Sequence, residues 1–189
     1  MAATDHSQAI KQDSKDYLTT ALLQLLEKNS YSSINVSQLV RRAGVSRMAF
    51  YRNFNSLDDV LLDYFSAIIG KRFTDIIQHV PPVEKLNSLE LFFTDFAAVL
   101  ERSISQGYES IIRQVFNKNM QHFYDSLSIF DDIREPEKRY YLKFMSDGVY
   151  SIWREWLISD QKEPLETIHQ LLATLQTATL EALKKQQAN

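Results

Sequence analysis

The run from Val36 to Phe54, VSQLVRRAGVSRMAFYRNF, leaves this chain little choice of local structure. Asn35 is a strong helix N-cap, and Gln38 follows three residues later in capping-box spacing. Leu39, Val40 and Ala43 form one apolar face of a short helix. Gly44 then stands where a helix ends and the backbone takes a positive φ. Ser46 caps a second helix that opens with Arg47-Met-Ala-Phe-Tyr-Arg52. Phe50 and Phe54, four apart, point to a core, and Arg47, Met48, Tyr51 and Arg52 lie on other faces. Two short helices joined by a four-residue turn predict a helix-turn-helix, whose second helix enters a DNA major groove.

The spacing Ala43-Gly44-Val45-Ser46-Arg47-x-x-Phe50-Tyr51-x-x-Phe54 resembles the signature of the TetR family of bacterial transcriptional regulators. Ser56-Leu-Asp-Asp-Val-Leu-Leu62 is similar to the start of that family's fourth helix, so the resemblance covers about the first third of the chain. It implies an all-α protein of about nine helices, with an N-terminal three-helix DNA-binding domain and a C-terminal helical domain for ligand binding and dimerisation. Three positions depart from the family habit. Leu57 stands where a phosphate-contacting Lys is common, Asn53 where His is frequent, and Val40 where Ala is usual. Met145 to Pro164 is similar to the C-terminal domain type of Firmicutes relatives.

A net charge of −3 looks wrong for a DNA binder until its distribution is read. Residues 1–55 carry seven Lys/Arg against four Asp/Glu, and the remainder carries fourteen against twenty. Between Arg41 and Arg52 there are four Arg and no acid. Phosphate contact depends on the local face rather than the total. By itself this basic run is equally a solvated surface. The chain has no Cys, which excludes disulfides, thiolate zinc sites and cysteine nucleophiles. With only 4 Gly and 4 Pro, the composition favours helices. The polar start lacks a signal-peptide pattern, and no apolar run reaches the roughly 20 residues of a membrane span. A cytoplasmic protein without membrane contact is expected.

Along the chain, residues 1–12 are polar and predict a frayed end. A first helix is expected from about Ser14 to Lys28, on Leu18, Ala21, Leu22 and Leu25. Ser56 and Asp59 start another, with Val60, Leu61, Tyr64, Phe65 and Ile68 on its apolar side, running to about His79. Pro81-Pro82 marks the clearest boundary. Domains are thus expected at 1–55 (motif about 34–53), 56–80 (a linking helix) and 81–189. Asn87 is a candidate cap for a helix through Leu100, with a break near Ser103–Gly107. Ile111 to Leu127 predicts one bent helix or two short ones. Pro136 to Ser159 predicts a long helix, and Pro164 opens the last.

Catalytic and metal chemistry find no support, and no cofactor is expected. The single Glu166-x-x-His169 reads as an exposed polar pair, because di-iron bundles need two such motifs. The remaining histidines, His6, His79 and His122, do not complete zinc spacing.

Within the family resemblance, candidate DNA contacts are Ser37, Arg42, Ser46, Arg47, Met48, Ala49, Tyr51, Arg52 and Asn53. Arg47 suits guanine, Met48 and Ala49 a thymine methyl, and the hydroxyl and remaining Arg groups suit phosphates. A crowd of aromatics and Met implies an effector cavity, with Phe92, Phe96, Arg113, Phe116, Asn117, Met120, Phe123, Tyr141, Phe144 and Met145 as candidates. Asp95 and His122 are further possible polar anchors. Plain core is the competing reading of the apolar members. The last two helices look too apolar for a monomer, which the resemblance reads as a homodimeric four-helix bundle. Trp153, Trp156, Leu172 and Leu175 are interface candidates, with intramolecular core as the alternative. The partners so implied are a palindromic double-stranded operator, a second copy of the chain and a small-molecule effector. A protein-binding adaptor with reduced DNA reading is the alternative function.

Overall fold

The computed structural model describes the backbone of residues 2–81 and 88–188. Nine α-helices occur among these residues, and no strand. They are α1 (Ala2–Leu26), α2 (Val36–Ala43), α3 (Arg47–Asn53), α4 (Leu57–His79), α5 (Leu89–Asp95), α6 (Ala97–Gln106), α7 (Glu109–Asp125), α8 (Glu137–Ile158) and α9 (Leu165–Ala188). Single 3-10 turns cover Tyr31–Ser33 and Ser128–Phe130. The chain separates into two compact units. One comprises residues 1–68 and 102–112, the other 69–101 and 113–189.

In the first unit, α1 packs on α2 and α3. Leu18, Leu22 and Leu26 of α1, Leu39 of α2 and Phe50 of α3 are fully enclosed. Each such side chain contributes about 1.5–3 kcal/mol of burial free energy. Val60, Leu61 and Phe65 supply α4's share, and Tyr108 stacks on Phe65 with centroids 5.9 Å apart.

The second unit is built around rings. Phe73, Phe92, Phe93, Phe116, Tyr150 and Trp153 are all buried, and they touch through tilted, stacked or edge-on pairs 4.9–6.3 Å between centroids. Such geometry is worth something beyond area burial, about 0.5–1.5 kcal/mol per pair. Tyr124 is enclosed as well, and burial pushes its phenol above the ordinary range.

Several expected boundaries move. The helix α1 begins at Ala2, where a frayed end was expected. No Gly or Pro between residues 2 and 13 breaks a helix, and a helix needs no apolar stripe over its whole length. The buried stripe of α4 is Val60, Leu61, Phe65, Ile69, Phe73 and Ile76, while Tyr64 and Ile68 are half-buried at its edge. The single helix expected through Leu100 is interrupted at Phe96 between α5 and α6. The break expected near Ser103–Gly107 falls at its far end, where Gly107 takes φ +83° after α6. Residues 109–125 form one helix rather than two. The proposed cap Asn87 and Pro82 lie outside the described residues.

Candidate functional site

The helix-turn-helix is assembled by its caps. Asn35 Oδ1 accepts from Gln38 N at 3.0 Å, and Gln38 Oε1 accepts from Asn35 N at 2.8 Å. The two bonds satisfy donors that a helix start leaves orphaned. Gly44 adopts φ +68° and ψ 24°, and its N–H returns to Val40 O. A Cβ there would meet nothing within 4 Å, so glycine is needed for its backbone conformation rather than for space. Ser46 Oγ accepts from Ala49 N at 3.0 Å and starts α3, leaving its own hydroxyl hydrogen to donate outward. Behind α3, Asp59 accepts from the backbone N–H of Asn55 at 2.8 Å and of Ser56 at 3.3 Å. These bonds, the Asn55 one foremost, hold its carboxyl below the usual range.

With Phe50 and the C-cap residue Phe54 facing inward, four residues of α3 face solvent. Met48 is 72% exposed and Tyr51 59%, and Arg47 and Arg52 are exposed as well. The Tyr51 ring meets Phe50 edge-on at 5.1 Å, which fixes the direction of its phenol. Arg47 donates through Nη2 to Ser37 Oγ, so two residues from different helices of the motif meet on one face. Arg42 Nε is tied to Gln24 Oε1 of α1 at 3.0 Å. Ala49 is half-buried. Asn53 is turned onto its own helix, donating to Ala49 O at 2.8 Å, and its Oδ1 is buried without a hydrogen-bond partner among the described residues. Asn53 is half-buried, whereas Met48 and Tyr51 are exposed.

The aromatic residues expected to line an effector cavity do not line one together. Phe92, Phe116, Met120 and Phe123 have no exposed surface, and the rings fill the space between themselves. Phe96 is half-buried and stacks on Phe92 at 4.5 Å. Phe144 is 63% exposed on the outer side of α8. Arg113 donates to Ser151 Oγ at 3.1 Å and lies over the Tyr150 ring, while Asn117 donates to Asp147. Of the remaining polar anchors, Asp95 pairs with Arg72 at 3.2 Å, and His122 is exposed. Tyr141 and Met145 line a cavity of about 70 Å³ together with Tyr124, Phe130 and Leu180. A larger cavity, about 120 Å³, lies among α5, α8 and α9. Leu89, Phe93, Val149, His169, Leu172, Ala173 and Gln176 line it. None of these seven was among the sequence candidates for ligand contact. The only available signal was the His in the last helix, read there as exposed. His169 is in fact largely covered, with 15% of its side chain exposed.

Three of the four interface candidates are also enclosed within the subunit. Trp153 is 2% exposed inside the ring cluster, which removes it from any surface. Trp156 Nε1 donates to Glu163 O at 2.8 Å and the ring is buried. Leu172 is buried on the inner face of α9, and Leu175 is exposed. A ring in van der Waals contact on all sides has no face left for a partner. The exposed apolar residues of these helices are Tyr140, Phe144 and Ile158 on α8 and Leu171 and Leu175 on α9.

Among the described residues, no three His, Asp or Glu side chains come together to hold a metal ion. Nor is any described helix long and apolar enough to cross a membrane.

A capped helix-turn-helix presenting Arg47, Met48, Tyr51 and Arg52, beside a separate helical unit, defines a DNA-binding transcriptional regulator. The family comparisons agree. Residues 18–64 match the model of the bacterial regulatory proteins of the tetR family, and residues 95–178 match a transcriptional regulator C-terminal region. The chain belongs to the TetR family of transcriptional regulators. An uncharacterized HTH-type transcriptional regulator of Haemophilus influenzae is 20% identical over 142 residues, covering 70% of this chain and 69% of the relative. Among solved structures, FadR of Thermus thermophilus, a TetR-family repressor in complex with lauroyl-CoA, superposes with a TM-score of 0.63 at 15% identity. That match covers 86% of this chain and 93% of FadR. The dihydroxyacetone kinase operon activator DhaS gives a TM-score of 0.51 at 19% identity, covering 90% of this chain and 97% of its own. At these identities the structural likeness speaks for the fold alone. Proteins of this family generally act by binding DNA rather than by catalysis.

Proposed function

We propose that this chain is a cytoplasmic, homodimeric repressor that grips a palindromic operator through α3 and releases it when a small molecule binds the C-terminal unit. The observation that carries the reading is the solvent-facing side of α3, with Arg47, Met48, Tyr51 and Arg52 projecting from a rigidly capped frame. Arg47 reads a guanine edge, Met48 meets a thymine methyl, and Tyr51, Arg52, Ser37 and the Ser46 hydroxyl hold phosphates. Arg42 adds charge at the rim from its tether to Gln24. Ala49 packs close to the groove floor, and Asn53 acts inside the protein, as a brace of its own helix.

Two copies meet through the exposed stripes Tyr140 and Phe144 on α8 and Leu171 and Leu175 on α9. Each stripe has i, i+4 spacing, so each presents one continuous apolar strip. A two-fold axis between them sets the half-sites about one helical turn, roughly 34–36 Å, or a small multiple apart. The effector enters beneath α9 rather than the filled ring cluster. No catalytic role is assigned to any residue.

T. thermophilus FadR is named a repressor and DhaS an activator, so the sign of regulation is part of what is tested. The test is selection of genomic DNA fragments by the purified chain, beside an Arg47→Ala, Tyr51→Ala double variant. A palindrome enriched by the parent alone supports the reading. A reporter carrying that palindrome, silenced by the chain, establishes repression. Enrichment by neither protein, before and after refolding to strip bound ligand, overturns it.

A further inference from the structure

We propose that the cavity among α5, α8 and α9 is a receptor for a small uncharged molecule the size of one aromatic ring that carries a hydrogen-bond donor, a phenol in its simplest form. This deepens the reading of a ligand-released regulator and rests on it only for the consequence at DNA.

Size comes first. At about 120 Å³ the space is close to the roughly 150 Å³ apolar cavity that accepts benzene in an engineered protein. The space opens to solvent beside the exposed Ala173, so its volume sets the size of the part of a ligand that is held inside. Composition comes next. Phe93, Val149, Leu172 and Ala173 make most of the wall apolar, which favours a hydrophobic body.

The two polar wall residues decide the ligand's polar group. His169 Nδ1 stands 3.7 Å from Glu90 Oε2, so the carboxylate favours the ring proton on that nitrogen. Nε2 then carries a lone pair, and it is buried with no hydrogen-bond partner among the described residues. A buried polar atom left this way costs about 1–3 kcal/mol, which a donor on the ligand relieves. Burial also holds the ring's pKa below its usual value, against the opposing pull of Glu90 and Glu166, so the acceptor form prevails at neutral pH. Gln176 uses its amide nitrogen on Tyr124 Oη at 2.6 Å, which leaves its carbonyl oxygen to accept as well. Two acceptors therefore meet a donor. Glu90 and the neighbouring Glu166 repel an anion of the same size.

The test is calorimetric titration of the full chain with phenol, toluene and benzoate. Phenol is expected to bind saturably at one per chain, and benzoate at least about tenfold more weakly. In His169→Leu the ratio of phenol to toluene affinity should fall about tenfold, the worth of one hydrogen bond. Ala173→Phe, which fills the space, should abolish both. Absence of saturable phenol binding by the unaltered chain, equal binding of benzoate, or binding that survives Ala173→Phe overturns the proposal. DNA binding is measured on the same samples. Ligand binding without release of DNA leaves this site standing and removes its effector role. Release of DNA by another molecule, with the cavity empty, does the reverse.

Discussion

Two stretches with the same kind of apolar spacing behave differently. In α2 and α3 the roles follow from neighbours in the chain. Asn35, Gln38, Gly44 and Ser46 set the frame through bonds spanning three or four residues, and Phe50 and Phe54 have one direction in which to point. In α8 and α9 the helices are equally regular, yet Trp153 is enclosed while Phe144 and Leu175 are exposed. Both sets sit at helical spacing among other apolar residues. Local rules place a side chain on a face, and the packing of distant segments decides which face is inside.

The sharpest break of this contrast is Trp153→Ala. Removing a ring held by Phe92, Phe93, Phe116 and Tyr150 should cost about 3–5 kcal/mol, read as a loss of stability in urea unfolding. A cost near zero would return Trp153 to the surface. Next is Arg47→Ala, expected to weaken operator binding by about 1–3 kcal/mol and relax the preference at one base pair, with the helical content unchanged by circular dichroism. Smaller again is Asn35→Ala. Loss of the cap should cost about 1 kcal/mol of stability in the same urea experiment. The smallest effect tests the buried imidazole. Its folded pKa lies below the ordinary histidine value of 6.5, chiefly through burial, so the unfolded chain binds more protons. Stability is then complete above that value and declines as pH falls below it. His169→Leu should flatten that part of the pH–stability curve while leaving the decline of the carboxylates at lower pH.

Much of the exposed face of the helix-turn-helix was legible in the residues. Phe50 and Phe54 turn inward, Met48, Tyr51, Arg47 and Arg52 outward, and the capping box and the left-handed Gly44 stand where the spacing puts them. The bond from Asn53 to Ala49 O was not legible, because it depends on a rotamer, which spacing does not encode. The cavity among α5, α8 and α9 was illegible for a different reason. Abundant aromatics can fill a space or line it, and Phe92, Phe116 and Phe123 fill theirs. The residues that do line a void are ordinary ones, Val149, Leu172 and Ala173, and nothing in their identity announces it. His169 stood out only through its spacing from Glu166, read as an exposed polar pair, and only Glu90, on a helix far away in sequence, shows what surrounds it.

Residue order alone therefore determined the all-helical class, the helix-turn-helix and its outward side chains, because those rest on hydrogen bonds and periodicities within a few residues. Which aromatics close the core, where a cavity is left, and which apolar side chains stay exposed were decided only when distant helices packed. Those outcomes depend on volumes meeting across the fold, and a chain read in order carries no measure of the space between its own distant parts.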